Sequence, residues 1–267
     1  MIAMRPKQRL SARTPLSARV PSSSLAERLS ALIEAAQDSD CLFGSSLGPL
    51  HSGDATFHVP QFVYFGANSS TASLRLALLS GIGRHDLPAS RALVAFIEGL
   101  VRRPDLGEGL NLSFFPVVNV AGLLGGAEER DLSAEDWNAS SAPELKLLGS
   151  DIRNRGYEGF IRVVTSAEDS PTAWVRTVLS GEAASANIEL FNVDDFDDWN
   201  VRFESTSLGL VAAGPLSLAA DLAQAPFEAE LALPAHWSQA QADHALARLL
   251  KRLLVHYRGF RAYGLHL

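Results

Sequence analysis

The sequence predicts an α/β fold, a three-layer α/β/α sandwich on a mostly parallel mixed sheet. Three observations point there. Apolar runs at 74–79, 112–118 and 160–165 have the length and composition of strands buried on both faces. Segments with helical apolar spacing fall between them, the alternation that wraps helices around a parallel sheet. The 267 residues are 47% hydrophobic and 20% charged, which supplies a large core and excludes a disordered or fibrous chain.

Residues 1–24 are basic and Ser-rich, carrying Arg5, Lys7, Arg9, Arg13 and Arg19 without an acidic neighbour. Such a segment cannot bury enough surface to offset its ordering entropy, so a disordered tail is expected before a single domain at 25–267. Leu25, Leu29, Leu32, Ile33 and Ala36 form the stripe of a first helix, ended by Asp38-Ser39-Asp40. Residues 57–65 are aromatic and β-branched with Pro60 inside, the mark of an edge or bulged strand. The strand at 74–79 runs into Ser80-Gly81-Ile82-Gly83. Residues 86–103 form a helix with Asp86 as N-cap and Pro104 as stop. After the strand at 112–118, Pro143 opens another helix and 160–165 is a third buried strand. Residues 172–179 are expected as a short helix, and 186–191 and 227–233 as strands. The helix at 238–257 has Ala242, Leu246, Leu249, Leu250 and Leu253 on one side and closes at Gly259.

Charge narrows the function classes. The chain has 23 Lys+Arg against 30 Asp+Glu; without the five cations of the tail, 18 face 30, a charge near −12. That field repels phosphate backbones, so no nucleic-acid partner is expected. No stretch reaches the ~18 uninterrupted apolar residues of a membrane span, so no membrane partner is expected either. The lone Cys41 suits a reducing compartment, and a cytoplasmic location is expected.

Several short motifs occur in a fixed order. The strand before Ser80-Gly81-Ile82-Gly83-Arg84-His85-Asp86 precedes a helix. A second strand ends in Pro116-Val117-Val118-Asn119-Val120-Ala121-Gly122. Ala142-Pro143-Glu144-Leu145 starts a helix, and Pro234-Ala235-His236-Trp237 follows the late strand. This order resembles the zinc carboxypeptidase (M14) family, and among its members the bacterial carboxypeptidase-like and succinylglutamate desuccinylase-like branch. Gly44, Ser46 and Gly48 resemble the family's loop leading into the fold. Pro116, Asn119 and Gly122 fit the family's Pro-x-x-Asn-Pro-x-Gly motif.

The resemblance implies an α/β/α hydrolase scaffold with zinc ligands and a catalytic Glu at strand ends. In this sequence those chemical positions are altered. Gly83 stands where the first ligand His belongs and Asp86 where the ligand Glu belongs. Ala167 stands at the second His, beside Glu168 and Asp169. Ala232 occupies the general-base position, with Glu230 on the same strand face as an alternative. Asp131-Leu132 begins like the substrate-binding loop but continues Ser133-Ala134-Glu135-Asp136, without the Asn-Arg pair that would clamp a carboxylate.

A catalytic zinc takes three protein ligands and a bound water, and glycine and alanine supply no lone pair. The expectation is a pseudoenzyme without catalytic residues, metal or cofactor. It would keep a vestigial cleft of Gly83, Arg84, His85, Asp86, Asn119, Asp131, Ala167, Glu168, Asp169 and Ala232. The alternative is an active metal-dependent hydrolase of peptides or acyl-amino acids with zinc on relocated ligands, drawing on His85, Asp86, Glu168, Asp169 or Glu230. The partners implied are a peptide or small carboxylate and a homo- or hetero-oligomer with an active relative.

Three other patterns have plainer readings. Gly44-Ser45-Ser46-Leu47-Gly48 spells the Gly-x-Ser-x-Gly of a nucleophile elbow but precedes the core strands. Asp194-Asp195-Phe196-Asp197-Asp198-Trp199 lacks the glycine and distal Glu of a calcium loop and is expected as a solvated acidic loop. His236 and His244 are expected at the surface.

Overall fold

The computed structural model describes residues 24–52, 54–69, 73–123, 132, 142–157, 159–179, 199–207 and 227–264. The tail up to residue 23, Asp131, the expected strand at 186–191 and the acidic residues 194–198 lie outside the described residues.

Eight strands form one mixed sheet: β1 (Leu42–Ser52), β2 (Ala55–Phe65), β3 (Leu74–Ser80), β4 (Leu110–Phe115), β5 (Gly159–Ser166), β6 (Thr172–Leu179), β7 (Asn200–Ser207) and β8 (Phe227–Pro234). Their order across the sheet is β1-β2-β4-β3-β5-β8-β6-β7. The centre is parallel: β3 pairs with β4 and β5, and β5 with β8. The flanks turn antiparallel at β1–β2, β2–β4 and β6–β8. Leu76, Leu78, Leu112, Phe114, Ile161, Val163 and Leu231 line one face and are fully buried, while the other face mixes buried Ala77, Leu79 and Phe115 with polar Asn111, Ser113 and Arg162.

Helix α1 (Leu25–Gln37) begins in a capping box. The Glu27 amide donates to Ser24 Oγ, and the Ser24 amide donates to Glu27 Oε2 at 2.7 Å. Ser24, grouped with the tail from sequence, is therefore the N-cap of α1. Helix α2 (Leu87–Arg102) buries Ala89, Leu93, Ile97 and Leu100, at about 1.5–3 kcal/mol for each large side chain. Helix α3 spans Pro143–Arg155 and α4 spans Gln239–Gly264. Reciprocal Ser238–Gln241 bonds start α4 as the Ser24–Glu27 pair starts α1.

The two faces of the sheet are told apart by strand parity. Phe62 and Phe114 lie on the face of α1 and α2: Phe114 meets Phe96 of α2 edge-to-face at 6.2 Å, and a Cβ on Gly44 would meet both Ala36 and Phe62. Helix α4 packs on α2 in the same layer. Gln61, one residue out of phase, reaches α3 on the other face, where its Nε2 donates to Asp151 Oδ2 at 3.0 Å. Ser45 Oγ donates to Gln61 Oε1 at 2.7 Å, Arg155 Nε to Asp151 Oδ1 at 2.8 Å, and Tyr157 Oη to Asp151 Oδ2 at 3.4 Å. A buried glutamine in a strand thus fastens α3 to the sheet with its hydrogen bonds met.

Several expectations are corrected. Residues 172–179 form strand β6, because Ala173 and Val175 are buried while Thr172 and Trp174, alternating with them, are half-buried, a period of two. Gly44 to Gly48 lie inside β1, paired along Gln61, Pro60 and Val59 of β2, so they form no loop and Ser46 sits on no elbow. Pro60 is tolerated because the β2–β4 ladder begins only at Phe62, and the bulge lies opposite, between Leu47 and Leu50 of β1. The second buried strand stops at Phe115. Helix α4 passes through Gly259 to Gly264, since one glycine weakens a helix by about 1 kcal/mol without ending it.

Candidate functional site

The parallel strands β3, β4, β5 and β8 end on the same edge, where open α/β sheets place ligands. The β3 and β4 exits are laced together. The Val118 amide donates to the Ser80 carbonyl at 3.1 Å and the Asn119 amide to the Gly81 carbonyl at 2.7 Å. Gly81 sits at φ +66°, and a Cβ there would lie 2.9 Å from Val117 Cα and 2.8 Å from Ser90 Oγ, so only glycine fits. Ser80 Oγ donates to the Val163 carbonyl at 2.7 Å and ties β3 to β5.

Asp86 is the centre of this edge. It occupies the N-cap position of α2 but makes no side-chain cap bond to that helix. Its carboxylate turns back instead. Oδ2 accepts the Ile82 amide at 3.1 Å and the Gly83 amide at 2.8 Å, and Oδ1 accepts the Thr165 amide at 2.8 Å. The side chain is buried, so each of the three amides would cost about 1–3 kcal/mol if left unpaired. Asp86 therefore brackets the β3–α2 turn onto β5.

The other predicted residues separate around that bracket. Gly83, half-buried, binds Asp86 through its amide. Arg84 and His85 are exposed on the turn, and Arg84 Nε donates to His85 Nε2 at 3.0 Å, which places a guanidinium charge against that imidazole nitrogen. Asn119 is fully buried and caps a single helical turn, Val120–Leu123: its Oδ1 accepts the Gly122 amide at 3.0 Å. Ala167, Glu168 and Asp169 are exposed in the bend after β5; they lead into strand β6 and start no helix. Ala232 is buried in β8 and pairs with Val164 of β5 and Thr172 of β6. Glu230, partly exposed, is bound to Arg162 across β5–β8 at 3.2 Å.

The zinc implied by the motif order can be tested against these donors. Gly83, Ala167 and Ala232 carry no ligand atom, and Asp86 already holds three amides. Among the described residues, no three His, Cys, Asp or Glu side chains gather in a group that could hold a metal ion. The residues at these positions do not fit a three-ligand zinc.

No family model matches the chain, and no curated protein matches it in sequence. Solved structures do match. A metallo-carboxypeptidase from Burkholderia cenocepacia superposes with a TM-score of 0.65 at 14% identity, covering 88% of this chain and 69% of its own. The fold is that of the metallo-carboxypeptidases. A metallo-carboxypeptidase from Pseudomonas aeruginosa, solved with (2-guanidinoethylmercapto)succinic acid, gives 0.58 at 17% identity over 86% of this chain and 68% of its own. Carboxypeptidase A from Helicoverpa armigera gives 0.57 at 15% identity over 88% and 73%. At these identities the likeness is one of carboxypeptidase architecture.

Sequence reasoning missed the Arg162–Glu230 bridge and the direction of the Asp86 carboxylate. Arg162 and Glu230 face each other only through the β5–β8 register, which joins segments 68 positions apart. For Asp86 a signal existed: the glycine-rich turn before it exposes free amides within reach of a short carboxylate.

Proposed function

We propose that this protein is a catalytically degenerate member of the carboxypeptidase fold, which binds a peptide or amino-acid-sized ligand at the strand-end edge around Asp86 without hydrolysing it. The observation that carries this reading is the commitment of Asp86 to three backbone amides beside Gly83, Ala167 and Ala232, none of which supplies a ligand atom or a base. Water activation at neutral pH requires a metal or a positioned base, and this set offers neither.

The exposed groups on the same edge are of both signs. Arg84 would take a ligand carboxylate, and Glu168 and Asp169 a ligand ammonium, so recognition rests on charge placement. The test has two parts. Metal analysis of the purified chain, with assays on C-terminal peptides and N-acyl-amino acids, should give less than stoichiometric zinc and no turnover. Titration with short peptides should give binding that weakens on Arg84→Ala. One tightly held zinc per chain with hydrolysis would overturn the proposal.

A further inference from the structure

Away from the strand ends, α2 and α4 pack together and leave a groove of about 260 Å3 between them. Its floor is apolar, with Phe96 and Leu100 from α2 and Ala247 and Leu254 from α4. Gly99 also lies on this floor, and a Cβ built there would meet no atom within 4 Å. A glycine inside a long helix weakens it, and close packing gives no reason for this one. The rim is of the opposite character: Arg103, Arg248 and Lys251 surround it, and Arg252 follows along α4 beside the exposed Val255. Asp105 pairs with Arg103 at 3.0 Å, and Arg103, with a smaller contribution from Lys251, holds it below the usual carboxylate range. Arg103, Arg248, Lys251 and Arg252 thus gather four cations along one face of a chain whose formal charge is −7.

We infer that the α2–α4 groove binds the anion of a medium-chain aliphatic acid, with the hydrocarbon tail on the Phe96–Gly99–Leu254 floor and the carboxylate against Arg248 and Lys251. The four floor side chains carry no hydrogen-bonding group to orient a polar ligand, so the tail must be apolar; His244 also lines the groove, and Arg103, Arg248 and Lys251 give it fixed positive charge, so the head must be anionic. The volume equals about nine water molecules at roughly 30 Å3 each, which suits a tail of about eight to ten carbons. The site is separate from the strand-end edge and stands or falls independently of the reading given for it.

Calorimetric titration of the full chain with sodium decanoate tests this. Saturable 1:1 binding is expected, weakened by salt, with decanol and decyltrimethylammonium at least about tenfold weaker. Gly99→Leu fills the floor from a position with no steric conflict, and should weaken decanoate binding at least about tenfold while Tm is unchanged or raised. Gly99→Ala should raise Tm and leave decanoate binding in place. The charge-reversed pair Arg248→Glu with Lys251→Glu should lose decanoate but not the fold, read by circular dichroism. The inference is overturned if decanoate does not saturate, if Gly99→Leu binds it like the parent chain, or if decanol or the ammonium amphiphile binds equally well. Competition by an acidic amphipathic peptide with no uptake of decanoate would overturn it in favour of a protein partner.

Discussion

The Thr165 amide of β5 donates to the carboxylate of Asp86 at 2.8 Å, joining the end of one central strand to the turn that leaves its neighbour. The same carboxylate holds the Ile82 and Gly83 amides, so one side chain sets the shape of the edge where the fold places chemistry.

A bracket and a metal ligand respond differently to substitution. Asp86→Ala strands three amides and should cost about 3 kcal/mol or more, whereas Asp86→Asn keeps one acceptor oxygen and should cost about 1–2 kcal/mol. Urea unfolding measures both. If Asp86→Ala left stability unchanged, the carboxylate would be free for other work and the degenerate reading would lose its main support.

Gly81 should tolerate no side chain. Gly81→Ala combines a positive φ with approaches below 3 Å to Val117 and Ser90, and about 2–4 kcal/mol of destabilisation is expected, with loss of the β3–β4 lacing in amide exchange.

The Gln61–Asp151 pair predicts a cost on the opposite face. Gln61→Leu preserves size but removes one of the three donors to the Asp151 carboxylate and the acceptor of Ser45 Oγ, and should destabilise by about 1–3 kcal/mol. The double variant with Asp151→Ala should lose less than the sum of the singles, which a double-mutant cycle reads directly.

At alkaline pH the buried tyrosines limit stability. Burial pushes Tyr64 from 10.0 up to about 12, and burial likewise raises Tyr157. Between pH 10 and about 12 the unfolded chain releases the Tyr64 proton while the native state keeps it, so stability falls as pH rises through that window. Tyr64→Phe gives up the hydroxyl bond to the Pro104 carbonyl, about 1 kcal/mol, yet should show a shallower decline from pH 10 to 12 in denaturant midpoints. An unaltered slope would assign the alkaline transition elsewhere.

Much of the central architecture could be read from local pattern. The strands at 74–79 and 160–165 and the α2 stripe from Leu93 to Leu100 are dictated by burial on both faces or on one helical side, and both signals are contiguous in sequence. Residues 172–179 failed because Thr-Ala-Trp-Val is short enough to suit either period; pairing with β8 and β7 decided it, and that information lies more than 20 residues away. The order of turns and Pro-x-x-Asn signals announced the carboxypeptidase scaffold, since Gly81 at φ +66° and Asn119 at the cap of the 120–123 turn serve backbone geometry. At the candidate site, which side chains lack ligand atoms could be read directly from Gly83, Ala167 and Ala232. What Asp86 does instead could be read only in part: the Ile82 and Gly83 amides are close in sequence, but its partner at Thr165 is 79 positions distant.

The last strand along the chain, β8, is not at the rim of the sheet but wedged between β5 and β6. A growing polypeptide emerging from the ribosome must therefore hold β5 and β6 without their shared neighbour until residues 227–234 have been made, and the insertion of a middle slat completes the sheet. Until then the sheet stands as two separated halves with raw inner margins, and a stop codon before position 227 would leave it so.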